Sequence, residues 1–527
     1  MQEKIKEILK QATELNIDIP VAHTDDFKNG DYASPVAFVL AKQWKITPKD
    51  AAQKVFEKLV LPKEIKKVEV AGNGYLNFFL AEDYIARMVQ GVDDNFGKND
   101  VYKGQKGMVE YTDPNPFKVF HIGHLMNNSI GETLARLAEF GGAQVIRACY
   151  QGDVGLHVAK AIWALLQDKE NFENTIEYWG KVYVTGSSEY ENHKAEIDEL
   201  NKKIFEKSDP EIQKYYELGR ALSLEYFETI YKKLDTHFDR YFFESEVAQE
   251  GIKLVKDNSQ VFELSEGAMV FKGSHTRVFL NSKGLPTYEA KELGLTATKF
   301  REFSDIAFSL VVTGSEQNDY FKVVKEALLK IDPKYNIRQF GHGLMRFADG
   351  KMSSRKGNIV SAEDLISDIQ TSVKEKNPDS DSEKIAIAAI KYSILRQAVG
   401  GDIIYDKEKS VSFEGDSGPY LQYSCVRAKS VLAKAGTAEI KNRTINVLDR
   451  MILRFPEVVL RAQTEFAPHH VVTYLTQLAG EFNNFYAHNK ILDAGDDTGY
   501  RLLQTKAFIE TMQNGLKILA IQIPSKM

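Results

Sequence analysis

Two histidines flank a short Ile-Gly step in the stretch NPFKVFHIGHLMNNSIGETLARLAEFGG, Asn115 to Gly142. His121 and His124 stand where a helical pattern begins. A helix start carries unpaired N–H groups and the positive end of the helix dipole, so anions are favoured there. Imidazoles at that place add further donors, and Gly123 lets a flat ligand approach the backbone. The plainer alternative is a pair of histidines capping a core-facing helix. A second constellation, KMSSRKGN, runs from Lys351 to Asn358. Lys351, Arg355 and Lys356 sit there among small hydroxyl residues, which suits a polyphosphate whose charge rises during reaction. A solvated surface loop is the alternative for that stretch. On opposite halves of one α/β domain, the two together point to nucleotide phosphates.

The elements that must position these residues follow from periodicity. Gly107–Thr112 (GMVEYT) reads as a strand broken by DPNP. Ile130, Leu134, Leu137 and Ala138 share one face of the following helix, which stops at Gly141-Gly142. AQVIRACYQGD is the next strand. Strand, loop, helix and strand open a βαβ unit and predict a parallel sheet. Ligands of such sheets lie beyond the strand C-termini, where Asp113 to His124 falls. From about Ala159 to Glu246 the pattern is charged and helical, an insertion placed at about residues 160–265. GAMVFKG, TRVFLNSKGLPTYEA and DIAFSLVVTGSEQ are expected to complete the sheet. Ser361 and Asp364 form a capping-box signature for a further helix.

Upstream, Ile5, Ile8, Leu9, Ala12 and Leu15 lie on one helical face. Lys67–Ala81 (KVEVAGNGYLNFFLA) reads as two strands around Asn73-Gly74. The polar runs DDNFGKND and KGQKG make a linker. The spacing therefore predicts an α+β N-terminal domain over 1–100, a Rossmann-like α/β domain over 101–390 and an all-helical domain over 391–527. A chain of 527 residues suits several domains. With 43% hydrophobic and 27% charged residues it is an ordinary globular composition. A formal net charge of −6 does not advertise nucleic-acid binding, though a local basic groove is compatible with it. Cys149 and Cys425 are the sole cysteines, too few for a disulfide framework or a CxxC zinc site, and they suit a reducing cytoplasm. No apolar signal region or membrane-length run is present in the sequence, so a cytoplasmic protein is expected.

HIGH in the first βα turn, with a KMS-type loop downstream, resembles the class I aminoacyl-tRNA synthetases, and within them the arginyl-tRNA synthetase family. The resemblance runs nearly end to end. It is carried in order by GYLNFFL, VEYTDPNPFKVFHIGHLMNNSIGETLARLAEFGGAQV and SLEYFETIYKKLDTHFDRYFFESE. GLPTYEAKELG, VVTGSEQNDYF, DGKMSSRKGN, SFEGDSGPYLQYSCVRAKSVL and GLKILAIQIPSKM follow.

This resemblance implies arginine–tRNA ligase activity in two steps, through arginyl-adenylate, with ester formation on the 2′-hydroxyl of the terminal adenosine of tRNA(Arg). It implies an arginine pocket of Glu110, Asn115, Tyr288, Glu292 and Gln317. A guanidinium offers five fixed donors and keeps its proton, so carboxylate and carbonyl acceptors suit it. Catalytic roles pass to His121, His124, Lys118, Lys351 and Lys356. Pro116, Gly123, Gly314, Met352, Ser353 and Arg355 join the two histidines around ATP. ATP is expected with Mg²⁺, and neither zinc nor an organic cofactor is expected. Contacts with tRNA are assigned to Asn77, Phe78 and Phe79 in the N-terminal domain. In the helical domain they are assigned to Tyr420, Gln422, Arg427, His469, His470, Asn484 and Tyr486. The family leans towards a monomer, and towards activation that requires bound tRNA.

Three positions depart from the family pattern. Glu292 stands where Asp is usual, Met126 where Arg is common, and Ser354 where a loop lysine often stands. Lys118, just before HIGH, takes the place of a lysine thought to compensate for that last absence. Two other functions share some of these features. A small-metabolite nucleotidyltransferase would use an HxGH helix start, yet needs neither the terminal domains nor the KMSSRKGN loop. A catalytically silent RNA-binding paralogue has no reason to keep HIGH and that loop intact.

Overall fold

The computed structural model describes residues 1–14, 18–348 and 361–527. The chain divides into two compact units. One comprises Met1–Gly97, Ser424–Leu460 and Tyr474–Asn514; the other comprises Lys98–Tyr423, Arg461–Thr473 and Gly515–Met527.

In the first unit, β1 (Ala22–His23), β2 (Tyr32–Ser34), β3 (Ile65–Ala71) and β4 (Tyr75–Leu80) form an antiparallel sheet in the order β1-β2-β4-β3. β3 and β4 are the hairpin read from the sequence. The helices Val36–Trp44 and Pro48–Lys58 between β2 and β3 carry weaker signals, and the sequence reading passed over them. Helical segments within Ser424–Leu460 and Tyr474–Asn514 belong to the same unit. Glu457 accepts from the Met1 amino group (3.1 Å) and from the Tyr32 hydroxyl (3.0 Å), tying a helix to the N-terminal sheet.

The second unit is built on a parallel sheet of β5 (Lys106–Glu110), β6 (Gln144–Gln151), β7 (Arg240–Phe243), β11 (Ile306–Gly314) and β12 (Ile337–His342). Its order is β12-β11-β5-β6-β7. The strand order reverses at β5, which has β11 on one side and β6 on the other. Ligands of open parallel sheets bind outside the strand C-termini at such a reversal. β5 ends on Glu110 and leads into the helix Ile122–Phe140, which carries HIGH.

Three expectations about this unit need correction. β7 lies within the span assigned to the insertion, yet it pairs with β6 from Ala148↔Arg240 to Gln151↔Phe243. The inserted helices therefore end with Pro210–Lys233. They have a core of their own around Phe117, Trp163 and Trp179. Secondly, β8 (Glu263–Ser265), β9 (Ala268–Lys272) and β10 (Thr276–Leu280) do not complete the parallel sheet. They form a separate antiparallel meander, because short connections can join only antiparallel neighbours. Thirdly, the span beyond Ile390 is not wholly helical: β14 (Ile403–Tyr405) pairs with β13 (Met345–Phe347).

A buried polar network fixes the HIGH helix to the sheet. Glu132 on that helix accepts from Arg136 Nε (2.6 Å), Arg147 Nε (3.1 Å) and the Tyr111 hydroxyl. Arg147, on β6, also donates to Glu139 (2.6 Å). Burial works against the Arg147 charge, but the Glu139 and Glu132 carboxylates outweigh it and raise the guanidinium further, so it stays charged. The helix approaches Tyr111 so closely that a Cβ on Gly131 would lie 2.2 Å from the Tyr111 ring. Gly131→Ala is therefore expected to cost about 1–3 kcal/mol, as overpacked cores do. Urea unfolding followed by fluorescence measures this, and a midpoint equal to wild type would show that the contact relaxes freely.

Candidate active site

His121 is the N-cap of the HIGH helix. Its Nδ1 accepts the Gly123 N–H (3.1 Å), and Nδ1 of His124 accepts the His121 N–H (3.2 Å). The two rings stack with centroids 3.6 Å apart. The capping alternative is thus fulfilled, and it is compatible with anion binding. Because each Nδ1 accepts, each neutral ring carries its proton on Nε2 and offers it as a donor. Gly123 serves the histidine as much as any ligand: a Cβ there would lie 2.9 Å from the His121 ring.

Both rings are held neutral. Burial, aided by the nearby Lys118 ammonium, lowers His121 to about 4. Burial, followed by His121 and Lys118, holds His124 well below the usual histidine range. Burial also lowers Lys118, with Glu244 opposing that shift. His157, at the start of the helix Leu156–Gln167, is lowered to about 3 by burial and then by Lys118. Its Nε2 meets the Gly152 carbonyl at 2.8 Å. His157 escaped the sequence reading because a lone histidine near a helix start has no local signature.

The connection from β5 to HIGH is unusual. Thr112, Asp113 and Phe117 all take positive φ (79°, 48° and 67°), which is costly for side chains bearing Cβ. Asp113 stabilises the turn by accepting the Tyr150 N–H (2.7 Å). Asn115 is oriented through the Gly152 N–H, which donates to its Oδ1 (3.1 Å). Pro116 is buried in the same turn, and Gly314 is buried at the end of β11. Ser361 bridges to His121, and Ala362 donates its N–H to Phe120 O (2.8 Å). Lys351, Met352, Ser353, Arg355 and Lys356 themselves lie outside the described residues.

Beside the turn is a cluster of buried carboxylates. Glu110, at the end of β5, is 2% exposed and ion-paired with the fully buried Lys299. Glu292 is 4% exposed, and its Oε1 has no hydrogen-bond partner. Burial, with the Glu110 charge adding to it and Lys299 opposing, raises Glu292 to about 8. Asp113 is raised by burial and by Glu110. Glu244 is raised by burial, against its salt bridge to Lys291 (2.8 Å). The Tyr150 hydroxyl is buried without a partner. Asp113, Glu244 and Lys299 come, together with Glu292, from three distant stretches, which is why motif reading missed them. Tyr288 and Gln317 are exposed, Tyr288 with 69% of its surface. The Tyr288 carbonyl accepts the Tyr320 hydroxyl (3.0 Å).

Burial corrects two of the expected tRNA contacts. Phe78 is a core residue of β4, on the face opposite Tyr75 and Phe79. Gln422 is fully buried and donates to Lys384 O (3.2 Å) and Gln522 O (2.6 Å). Asn77 is covered as well, whereas Tyr75 is exposed and Phe79 lies under Lys67 Nζ at 4.3 Å. Tyr486 is exposed, with the Arg427 guanidinium 5.2 Å from its ring centre. Asn484 is exposed; Tyr420, His469 and His470 are half-buried.

Family models match three stretches of the chain. The model described as "tRNA synthetases class I (R), catalytic domain" matches residues 89–406. The chain belongs to the arginyl-tRNA synthetase family. The "Arginyl tRNA synthetase N terminal domain" matches residues 1–80, and the "DALR anticodon binding domain" matches 421–527. An arginine–tRNA ligase of Limosilactobacillus reuteri (strain DSM 20016) is 31% identical, covering 97% of this chain and 96% of the relative. One of Clostridioides difficile (strain 630) is 31% identical over 100% of this chain and 98% of the relative. The arginyl-tRNA synthetase of Thermus thermophilus has the same fold, with a TM-score of 0.85 over 100% of both chains at 24% identity. Among the described residues, no helix is long and apolar enough to cross a membrane.

An NMR titration of ring-labelled histidines is expected to place the His121 midpoint near 4. An ordinary histidine titrates at about 6.5. A midpoint at the ordinary value would mean that burial does not hold the ring neutral and that a fraction of it is protonated near neutral pH, contrary to the donor arrangement above.

Proposed function

We propose that the chain performs the arginine–tRNA ligase reaction of its family, with the buried carboxylates selecting arginine and the HIGH helix start receiving ATP. The observation that carries this reading is Glu292 Oε1, a buried acceptor without a partner beside the charged Glu110. A ligand that brings fixed N–H donors and a permanent positive charge answers both deficits at once. A guanidinium does so, and citrulline, lacking the charge, does not. Asn115, Tyr288 and Gln317 complete the pocket, Tyr288 by covering the guanidinium face.

In the first step the arginine carboxylate attacks the α-phosphate of ATP, giving arginyl-adenylate and pyrophosphate. No nucleophilic side chain is needed; the protein positions the reactants and stabilises charge developing on the phosphoryl oxygens. The Nε2–H groups of His121 and His124 supply neutral donors at the positive end of their helix, with Pro116, Gly123 and Gly314 shaping the space. Lys118 supplies a cation on the same side. Lys351, Lys356 and Arg355, with Met352 and Ser353, are assigned to the leaving pyrophosphate, and Lys118 takes over from the lysine absent at Ser354. Mg²⁺ arrives with ATP, held by its phosphates. In the second step the 2′-hydroxyl of the terminal adenosine of tRNA(Arg) takes the arginyl group and AMP departs.

Contacts with tRNA are assigned to rings in the terminal domains: exposed Tyr75 with half-buried Phe79 in the first, and exposed Tyr486 with Arg427 in the second. Such surfaces stack unpaired bases.

Glu292→Gln is expected to raise the KM for arginine by about 30-fold or more, the usual consequence of losing one partner of a buried charged hydrogen bond. The KM for ATP should stay within about threefold of wild type, since the lost contact is confined to one substrate. Steady-state aminoacylation tests this, and an unchanged arginine KM would move the guanidinium to another carboxylate. Lys118→Met is expected to lower kcat by roughly 100-fold, the scale of losing one preorganised charge at the phosphates. Pre-steady-state adenylate formation measures it, and a wild-type rate would remove Lys118 from the ATP site.

A further inference from the structure

A buried lysine in a pocket for a cationic substrate is at first sight counterproductive, because it repels what it should admit. Lys299 is such a residue: it is 0% exposed, on the helix Tyr288–Glu302 that also carries Glu292, with Nζ on Oε2 of Glu110. Its value lies in how it sorts the carboxylates. Glu110, Asp113, Glu244 and Glu292 share this space with two cations, Lys299 and Lys291. Lys291 is spent on Glu244 (2.8 Å) and Lys299 on Glu110, so two carboxylates have fixed counter-charges. Asp113 is occupied by the Tyr150 N–H in the turn (2.7 Å). Glu292 alone of the four has a buried oxygen with neither a cation nor a hydrogen-bond donor.

We propose that Lys299 is a positioning residue for arginine selection, pairing with Glu110 so that Glu292, left without a counter-charge, is the carboxylate that exchanges a proton for the substrate guanidinium. This rests on the arginine pocket proposed above. The proton passes from the Glu292 carboxyl to solvent as the guanidinium, which cannot give up its own, takes its place. The groups facing Glu292 are Glu110 and Tyr150 from β5 and β6, Asp113 from the turn after β5, itself raised by burial and by Glu110, and Glu244 from the helix Glu244–Asp257. Lys299 is on its own helix, and Tyr320 is on Asn318–Ile331. Burial pushes both tyrosines up, so neither titrates in the neutral range.

The direction of the pH dependence follows. Burial raises the free Glu292 to about 8, so near neutral pH the empty pocket holds a proton that the filled pocket does not. Arginine affinity must then rise with pH, by about tenfold per unit at its steepest, and level off once Glu292 is ionised without help.

Isothermal titration of the full-length chain with arginine, in two buffers of different ionisation enthalpy, counts the protons. About one proton should be released per arginine at about pH 7. Binding without release overturns the inference. No binding at any pH overturns the pocket assignment beneath it. In Lys299→Met, Glu110 loses its counter-charge and takes up a proton too, so release should rise towards two and the affinity midpoint should move to higher pH. Lys299→Arg should restore both. A merely structural lysine would weaken binding without changing the proton count, and a folded Lys299→Met with wild-type count and midpoint overturns the proposal. Should that variant not fold, E110Q/K299M removes both charges together. Release of about one proton then identifies Glu292 as the source, and loss of release assigns the proton to Glu110 and overturns the proposal.

Discussion

The site depends on a single constraint: the chain must pass from the end of β5 to the start of the HIGH helix in one short, strained turn. Three non-glycine residues of that turn hold positive φ. Each such residue costs on the order of 1–3 kcal/mol. The surrounding structure makes the turn obligatory. Glu132 binds the helix to Tyr111 and to Arg147 on β6, and Asp113 fastens the turn to the Tyr150 N–H. Glu110 at one end of the turn and the paired histidines at the other are thereby fixed relative to each other, as the proposed arginine and phosphate sites require. Adenylate formation requires that relation, since it joins a carboxylate to a phosphate.

Electrostatics divides the same turn into two halves. On the Glu110 side, carboxylates outnumber cations, and burial first, then repulsion by neighbouring carboxylates, raises Glu292, Asp113 and Glu244. On the His121 side, two imidazoles and a lysine crowd one another, so the rings remain neutral donors. Neutral donors next to a helix dipole stabilise a polyphosphate without requiring a proton to be taken up on binding. A substrate that is cationic at one end and anionic at the other matches both halves.

Local features were legible in the sequence because their causes are local. The β3–β4 hairpin, the stop at Gly141-Gly142, and the cap at His121 each depend on residues within a few positions of one another. The Ser361 cap is of the same kind, its side chain accepting from Asp364 N. The family blocks carried Glu110 and Glu292 into the pocket by resemblance. Phe78 and Gln422 were misjudged because an aromatic or amide side chain looks the same in sequence whether it reads a base or fills a core. Strand alternation in β4 and helix packing around Gln422 decide that difference.

The sequence by itself determined the class of chemistry and the substrate family, through motifs whose spacing sets a helix start and a strand end. Tertiary structure alone decided which carboxylates are paired. Lys299 reaches Glu110 because β5 sits between β11 and β6, with the Tyr288–Glu302 helix packed in the same layer as Glu244–Asp257. It also decided that β7 belongs to the sheet and β8–β10 do not, since pairing partners distant in sequence leave no local mark. Charge in a buried pocket is set by neighbours in space. Glu292 therefore shows only a carboxylate in the sequence, and a proton-holding acceptor in the fold.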